Sequence, residues 1–76
     1  MTTEQLRKAL RELNGERDLE VVFDVYNASH TNRLHLPHAM LIPDEEDHLV
    51  KVTDGKSVFI IDAERVAWIR IGLKPS

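Results

Sequence analysis

Two short runs near the C-terminus restrict what this chain can become. Val58-Phe59-Ile60-Ile61 and Val66-Ala67-Trp68-Ile69, the second continued by Ile71, are apolar at odd and even positions alike. Successive side chains of a strand point to opposite faces, so each run presents apolar groups on both. An antiparallel strand with one wet face alternates instead. Both faces of these strands therefore need cover. The chain has 76 residues and no cysteine. A domain of this size buries only roughly 60% of the surface its unfolded chain exposes. Disulfides and thiolate metal sites are excluded. The routes left to stability are oligomerisation, a histidine or carboxylate metal site, or tight packing.

The rest of the chain reads as one helix and about five strands in a single domain. Leu6, Ala9, Leu10 and Leu13 follow helical spacing and predict a helix over 3–14. Thr2 and Gln5 fit a capping box at its start, and Asn14-Gly15 supplies the stop. Period-two alternation from Leu19 to Tyr26 predicts a strand over 19–27, with Leu19, Val21, Phe23 and Val25 on one face. Asn27 to Asn32 reads as a loop. Leu34, Leu36, Met40 and Ile42 predict a strand over 33–42, bent or broken near Pro37 and His38 because proline lacks a ladder donor. Pro43 and the acidic run Asp44 to Asp47 form the next loop. Strands follow over 48–53, 56–62 and 65–72. Asp54-Gly55 between the first two predicts a type I′ hairpin turn. Short strands joined by tight turns suit a small, strongly bent five-stranded antiparallel barrel with the helix over one open end.

The formal net charge is −3, which gives no whole-molecule attraction for nucleic acid. Its distribution is uneven: Asp44, Glu45, Glu46 and Asp47 are contiguous, whereas Arg7, Lys8 and Arg11 share the helical segment. That helix surface, with Glu4 and Glu12, is either a solvated face or a basic contact surface. No apolar run approaches the roughly 18 residues of a membrane span, and the N-terminus lacks a signal-peptide core. Absence of cysteine fits a reducing compartment, so the expected location is the cytoplasm.

In element order the chain resembles the Sm-like family, and most of all its bacterial Hfq branch, where an N-terminal helix precedes a bent five-stranded barrel. Asp44 followed by His48-Leu49-Val50-Lys51-Val52 is similar to the first family motif, an aspartate followed by an asparagine and an apolar strand. Phe59-Ile60-Ile61, Asp62 to Arg65, then Val66 to Ile71 is similar to the second, two apolar strands joined by a short turn. That turn reads Arg-Gly or Tyr-Lys-His in the family and Asp62-Ala63 here. The resemblance implies a non-enzymatic, ring-forming protein of about five to seven subunits, the fourth strand of each pairing with the fifth of the next. Val58, Phe59, Ile60, Ile61, Val66, Trp68 and Ile69 would form that interface. It also implies RNA as ligand. In the family, the asparagine and the basic turn hold a uridine near the pore. His48 stands in that pocket here, but Asp62 repels phosphate. RNA is therefore expected on the helix side, through Arg7, Lys8, Arg11 and Arg17, with Arg65 the cation near the turn and His48 contributing little. The alternative is a protein-interaction module that uses the fold without RNA.

No constellation for catalysis is present. Ser29 and Ser57 have no base placed beside them, and Gly15, Gly55 and Gly72 are scattered rather than gathered in a phosphate loop. His30, His35, His38 and His48 invite a metal, but His35 and His38 would point to opposite strand faces, and the four read as surface histidines of loops and strand edges. The acidic run lacks the alternation of a calcium loop. No metal or cofactor is expected. Trp68 reads as a core or interface residue before it reads as a base-stacking platform.

Overall fold

The structure, a computed structural model, describes residues 1–24 and 32–75. The end of the strand predicted over 19–27, most of the predicted 27–32 loop, and His30 lie outside the described residues. The fold is mainly β. Helix α1 (Thr3–Leu10) precedes strands β1 (Arg17–Phe23), β2 (Arg33–Leu36), β3 (Met40–Leu41), β4 (Val50–Thr53), β5 (Val58–Ile61) and β6 (Val66–Pro75). The strands form two antiparallel three-stranded sheets, β2-β1-β6 and β3-β4-β5, which are not closed into a barrel.

The capping box at Thr2 is formed: its hydroxyl accepts from the Gln5 N–H, and the Gln5 side chain accepts from the Thr2 N–H, both at 3.0 Å. The α-helix ends earlier than residue 14. Glu12 and Leu13 bond three residues back, to Ala9 and Leu10, so the last turn tightens. Gly15 then takes φ +85°, a conformation open to glycine at little cost. Its N–H donates to the Ala39 carbonyl.

The long strand over 33–42 breaks where proline predicted. β2 pairs with β1, the chain turns at Pro37-His38 with His38 at φ +51°, and β3 pairs with β4. One segment thus serves both sheets. Ala39 sits at the changeover and donates to the Arg17 carbonyl at 2.9 Å. The β4–β5 connection is not a type I′ turn. Among the described residues only His38 and His48 are non-glycine positions with positive φ, so Asp54 does not take the first I′ conformation. Register Thr53↔Val58 leaves a four-residue loop. Its geometry is set by the Asp54 carboxylate, which accepts from the Lys56 and Ser57 N–H groups at 2.9 Å. These bonds hold the Asp54 carboxyl below its ordinary range.

The core lies between the two sheets and under the helix. Leu6, Leu10 and Leu13 meet Leu19 and Val21 of β1, Leu36 and Ala39, Val50 and Val52 of β4, and Ile61, Ala63 and Val66. The helical spacing placed Leu6, Leu10 and Leu13 in the core, and the β1 alternation placed Leu19 and Val21 there with Phe23 packed against it; Val25 lies outside the described residues. A 3-10 turn over Ala63–Arg65, capped by the Asp62 carboxylate on the Glu64 N–H, joins β5 to β6 and buries Ala63.

Candidate nucleic-acid interface

Arg7 is where the helix meets the loop before β4. It leaves α1 on the side expected to be solvated, yet the residue is only 8% exposed. Its Nη2 donates to the carbonyl oxygens of His48 (3.4 Å) and Leu49 (3.1 Å) and lies 3.3 Å from Asp44 Oδ1. Its Nη1 is buried without a partner among the described residues. A buried guanidinium is tolerated when its donors meet fixed acceptors, and here the loop turns two consecutive carbonyls onto it. His48 takes φ +56° to do so. Arg7 is therefore first a structural tie and not a freely presented cation, which corrects its expected place on a solvated basic face.

The same loop is fastened from its other side. Lys51 Nζ donates to Glu45 Oε1 at 2.7 Å and Asp47 Oδ2 at 2.8 Å, and Asp47 Oδ1 accepts from the Leu49 N–H. Asp47 and then Glu45 raise the Lys51 pKa; Lys51 and the Leu49 N–H lower that of Asp47. The acidic run thus has internal work to do, and among the described residues no group of three histidines or carboxylates is placed to hold a metal. His35 lies on the outward face of the first sheet, 3.0 Å from Asp18.

Beside Arg7 a groove of about 440 Å³ is lined by Thr3, Glu4, Arg7, Lys8, Arg11, Asp44 and His48. Lys8 and Arg11 have no side-chain partner among the described residues. The helix cations and His48, expected at separate places, line one concavity. A second groove, about 350 Å³, shares Thr3 and His48 with the first. It is lined by Thr3, His48, Leu49, Val50, Ile60, Ile61, Asp62 and Ala63. This one holds the positions that the Sm-like motifs point to, and Asp62 is its only charged lining residue. Arg17 and Arg65 line neither groove. Arg17 is half-buried at the start of β1, and Arg65 lies 3.5 Å from Asp62 in the 3-10 turn. The role of Asp44 was not legible in sequence. It lies 3.2 Å from His48 Nδ1 as well as 3.3 Å from Arg7, and no local spacing announces a partner on the helix.

The residues expected at a subunit interface divide by face. Ile61 and Val66 belong to the chain's own core, and Phe59 and Ile69 pack partly against it. Val58 (56% exposed), Ile60 (62%) and Trp68 (46%) face outward. β5 and β6 each have one long side without a partner strand among the described residues. No helix among the described residues is long and apolar enough to cross a membrane.

Comparison with family models, with curated proteins and with solved structures gives no match for this chain.

Proposed function

We propose that the chain is a non-enzymatic, Sm-like protein that closes into a homo-oligomeric ring and carries single-stranded RNA on its helix side. The observation that carries this reading is the pair of open strand edges. β5 presents Val58 and Ile60, β6 presents Trp68, and each edge lacks a partner strand among the described residues. An open edge with outward apolar side chains pairs with another strand unless blocked. β5 of one copy on β6 of the next satisfies both edges at once, and such a head-to-tail contact closes into a ring. β2 and β3 then read as the two arms of one bent strand, and the two sheets as a single five-stranded Sm-like sheet.

For RNA, the helix groove offers two unpaired cations, Lys8 and Arg11, repeated in each subunit. The neighbouring groove offers Asp62. Phosphate contacts dominate nucleic-acid affinity and need Lys or Arg, so the backbone runs past the helix. Light scattering after gel filtration tests the ring: the expected result is a closed oligomer of about five to seven subunits, and a monomer at micromolar concentration would overturn it. Titration with labelled oligo(U) and oligo(A) at two salt concentrations tests the ligand. Lys8→Ala with Arg11→Ala should weaken binding and lower the salt slope by about 0.7 per lost contact. Arg7 stays unchanged in that experiment, because removing it would loosen the loop.

A further inference from the structure

We propose that Asn14-Gly15 is a spontaneous modification site gated by the fold: the Asn14 side-chain amide is lost as ammonia, leaving aspartate or isoaspartate, when the Gly15 N–H lets go of the Ala39 carbonyl. The proposal is independent of the RNA reading above.

Two of the three glycines follow an Asn or Asp, in Asn14-Gly15 and Asp54-Gly55. In such a pair the glycine nitrogen can attack the side-chain carbonyl carbon before it, and the missing Cβ leaves that approach open. At Asn14 a bond forms from Gly15 N to Cγ, the Cγ–Nδ2 bond breaks, and ammonia leaves with the Gly15 amide proton. The cyclic imide that results takes up water at either carbonyl carbon. One opening gives aspartate. The other gives isoaspartate, in which the backbone runs through the former side chain.

The two pairs differ in what the structure does to each reactant. Asn14 is exposed, and its Oδ1 accepts from the Glu16 N–H at 3.0 Å. That bond closes a ring of atoms containing both Asn14 Cγ and Gly15 N, so the reacting pair stays close. It also draws electron density from the side-chain carbonyl and makes Cγ a better electrophile. The nucleophile is what the fold withholds. The Gly15 N–H donates to the Ala39 carbonyl at 3.0 Å, and Ala39, itself fully buried, donates to the Arg17 carbonyl at 2.9 Å. Release of the Gly15 proton requires the contact between the end of α1 and the β2–β3 changeover to open, a local event that costs less than global unfolding. At Asp54 both reactants are withheld inside the loop. An ionised carboxylate is a poor electrophile, and this one accepts from the Lys56 and Ser57 N–H groups, while the Gly55 N–H donates to Thr53 Oγ1 at 3.0 Å.

Either product adds a carboxylate just past the C-terminus of α1, where negative charge is unfavourable. Isoaspartate also lengthens the backbone by one atom beside the Gly15–Ala39 bond.

Ageing of the full chain in mildly alkaline buffer, with and without guanidinium chloride, tests the site by peptide mass spectrometry. Asn14 should be the first residue converted, to a mixture of aspartate and isoaspartate. The rate should be at least about tenfold lower in the folded chain than in the unfolded one. Leu13→Ala, which removes a buried side chain beside the site, should raise the folded-state rate and the hydrogen exchange of the Gly15 N–H by the same factor. Sub-denaturing guanidinium chloride gives that comparison in the unaltered protein should Leu13→Ala fail to fold. Asn14→Gln, where attack would need a larger ring, should abolish conversion and leave Gly15 exchange unchanged. Equal rates in the folded and unfolded chain overturn the gate, and so does a rate that does not follow Gly15 exchange. Earlier conversion at Asp54 in the folded chain, or none at Asn14 in either state, overturns the site.

Discussion

On the outward face of β2-β1-β6, Glu20 is bonded to Arg33 at 3.2 Å and to Arg70 at 3.2 Å, and Asp18 is bonded to His35 and Arg70 at 3.0 Å. On the outward face of β3-β4-β5, Lys51 stands opposite Ile60, and its charge is drawn aside to Glu45 and Asp47. Met40, Val58 and Ile60 share that face and are exposed, as is Leu49 just before β4. The inward faces are alike, lined by Leu19 and Val21 in one sheet and Val50 and Val52 in the other. The first sheet resolves its outer surface within the chain, by cross-strand ion pairs. The second leaves Met40, Val58 and Ile60 as apolar side chains exposed to solvent. Trp68 and Leu73 are exposed apolar residues on β6 of the first sheet, and Trp68 sits opposite Val22 on the strand whose edge is open.

The largest effect should come from charging the apolar face. Ile60→Lys should abolish assembly, a loss of roughly 2 kcal/mol or more per subunit contact. Because Ile60 is exposed, the stability of the single chain should change by no more than about 0.5 kcal/mol. Gel filtration with light scattering and a urea melt read the two effects separately. An unchanged oligomer would mean that the two outer faces do not differ in role.

Next in size is Gly72→Ala, on the side that resolves itself. A Cβ built there would overlap the Asp18 carboxylate, so the side chain must swing out and leave Arg70 and His35. A cost of about 1 kcal/mol, or a fall in Tm of about 5 °C, is expected, with assembly retained. Trp68 fluorescence sharpens the boundary between the two regions. Emission should lie to the red in dilute, dissociated protein and move to the blue as subunits associate. A concentration-independent spectrum would place Trp68 outside the contact.

The smallest effect is on the acid side of the pH profile. The His35 hydrogen bond, followed by Arg70, holds the Asp18 carboxyl below its ordinary range. A depressed carboxyl contributes stability above its unfolded pKa and loses it as pH falls through the folded value. Acid titration of the melting temperature should therefore show a small loss below about pH 4. Asp18→Asn should flatten it, and the loss should shrink in high salt because the pairs are largely exposed. An equally steep acid limb in Asp18→Asn would assign the loss to other carboxylates.

Local pattern by itself determined the helix start at Thr2, the inward residues of α1 and β1, the break at Pro37, and the doubly apolar character of β5. Each is set by residues within a turn or two of chain, through side-chain capping, a fixed periodicity or a missing donor. The break also shows the limit of such reading. Pro37 marks where the strand must bend, but pairing of Arg33–Leu36 with β1 and of Met40–Leu41 with β4 divides one strand between two sheets. Tertiary structure alone decided that Arg7 is a buried tie, since its acceptors Asp44, His48 and Leu49 lie far along the chain. It decided that Lys8, Arg11 and His48 line one groove. It also decided that the carboxylates of Asp18 and Glu20 neutralise Arg70 from across a strand pair. Those facts depend on which distant acceptors the fold delivers to a side chain, and charge order along a sequence carries no record of that.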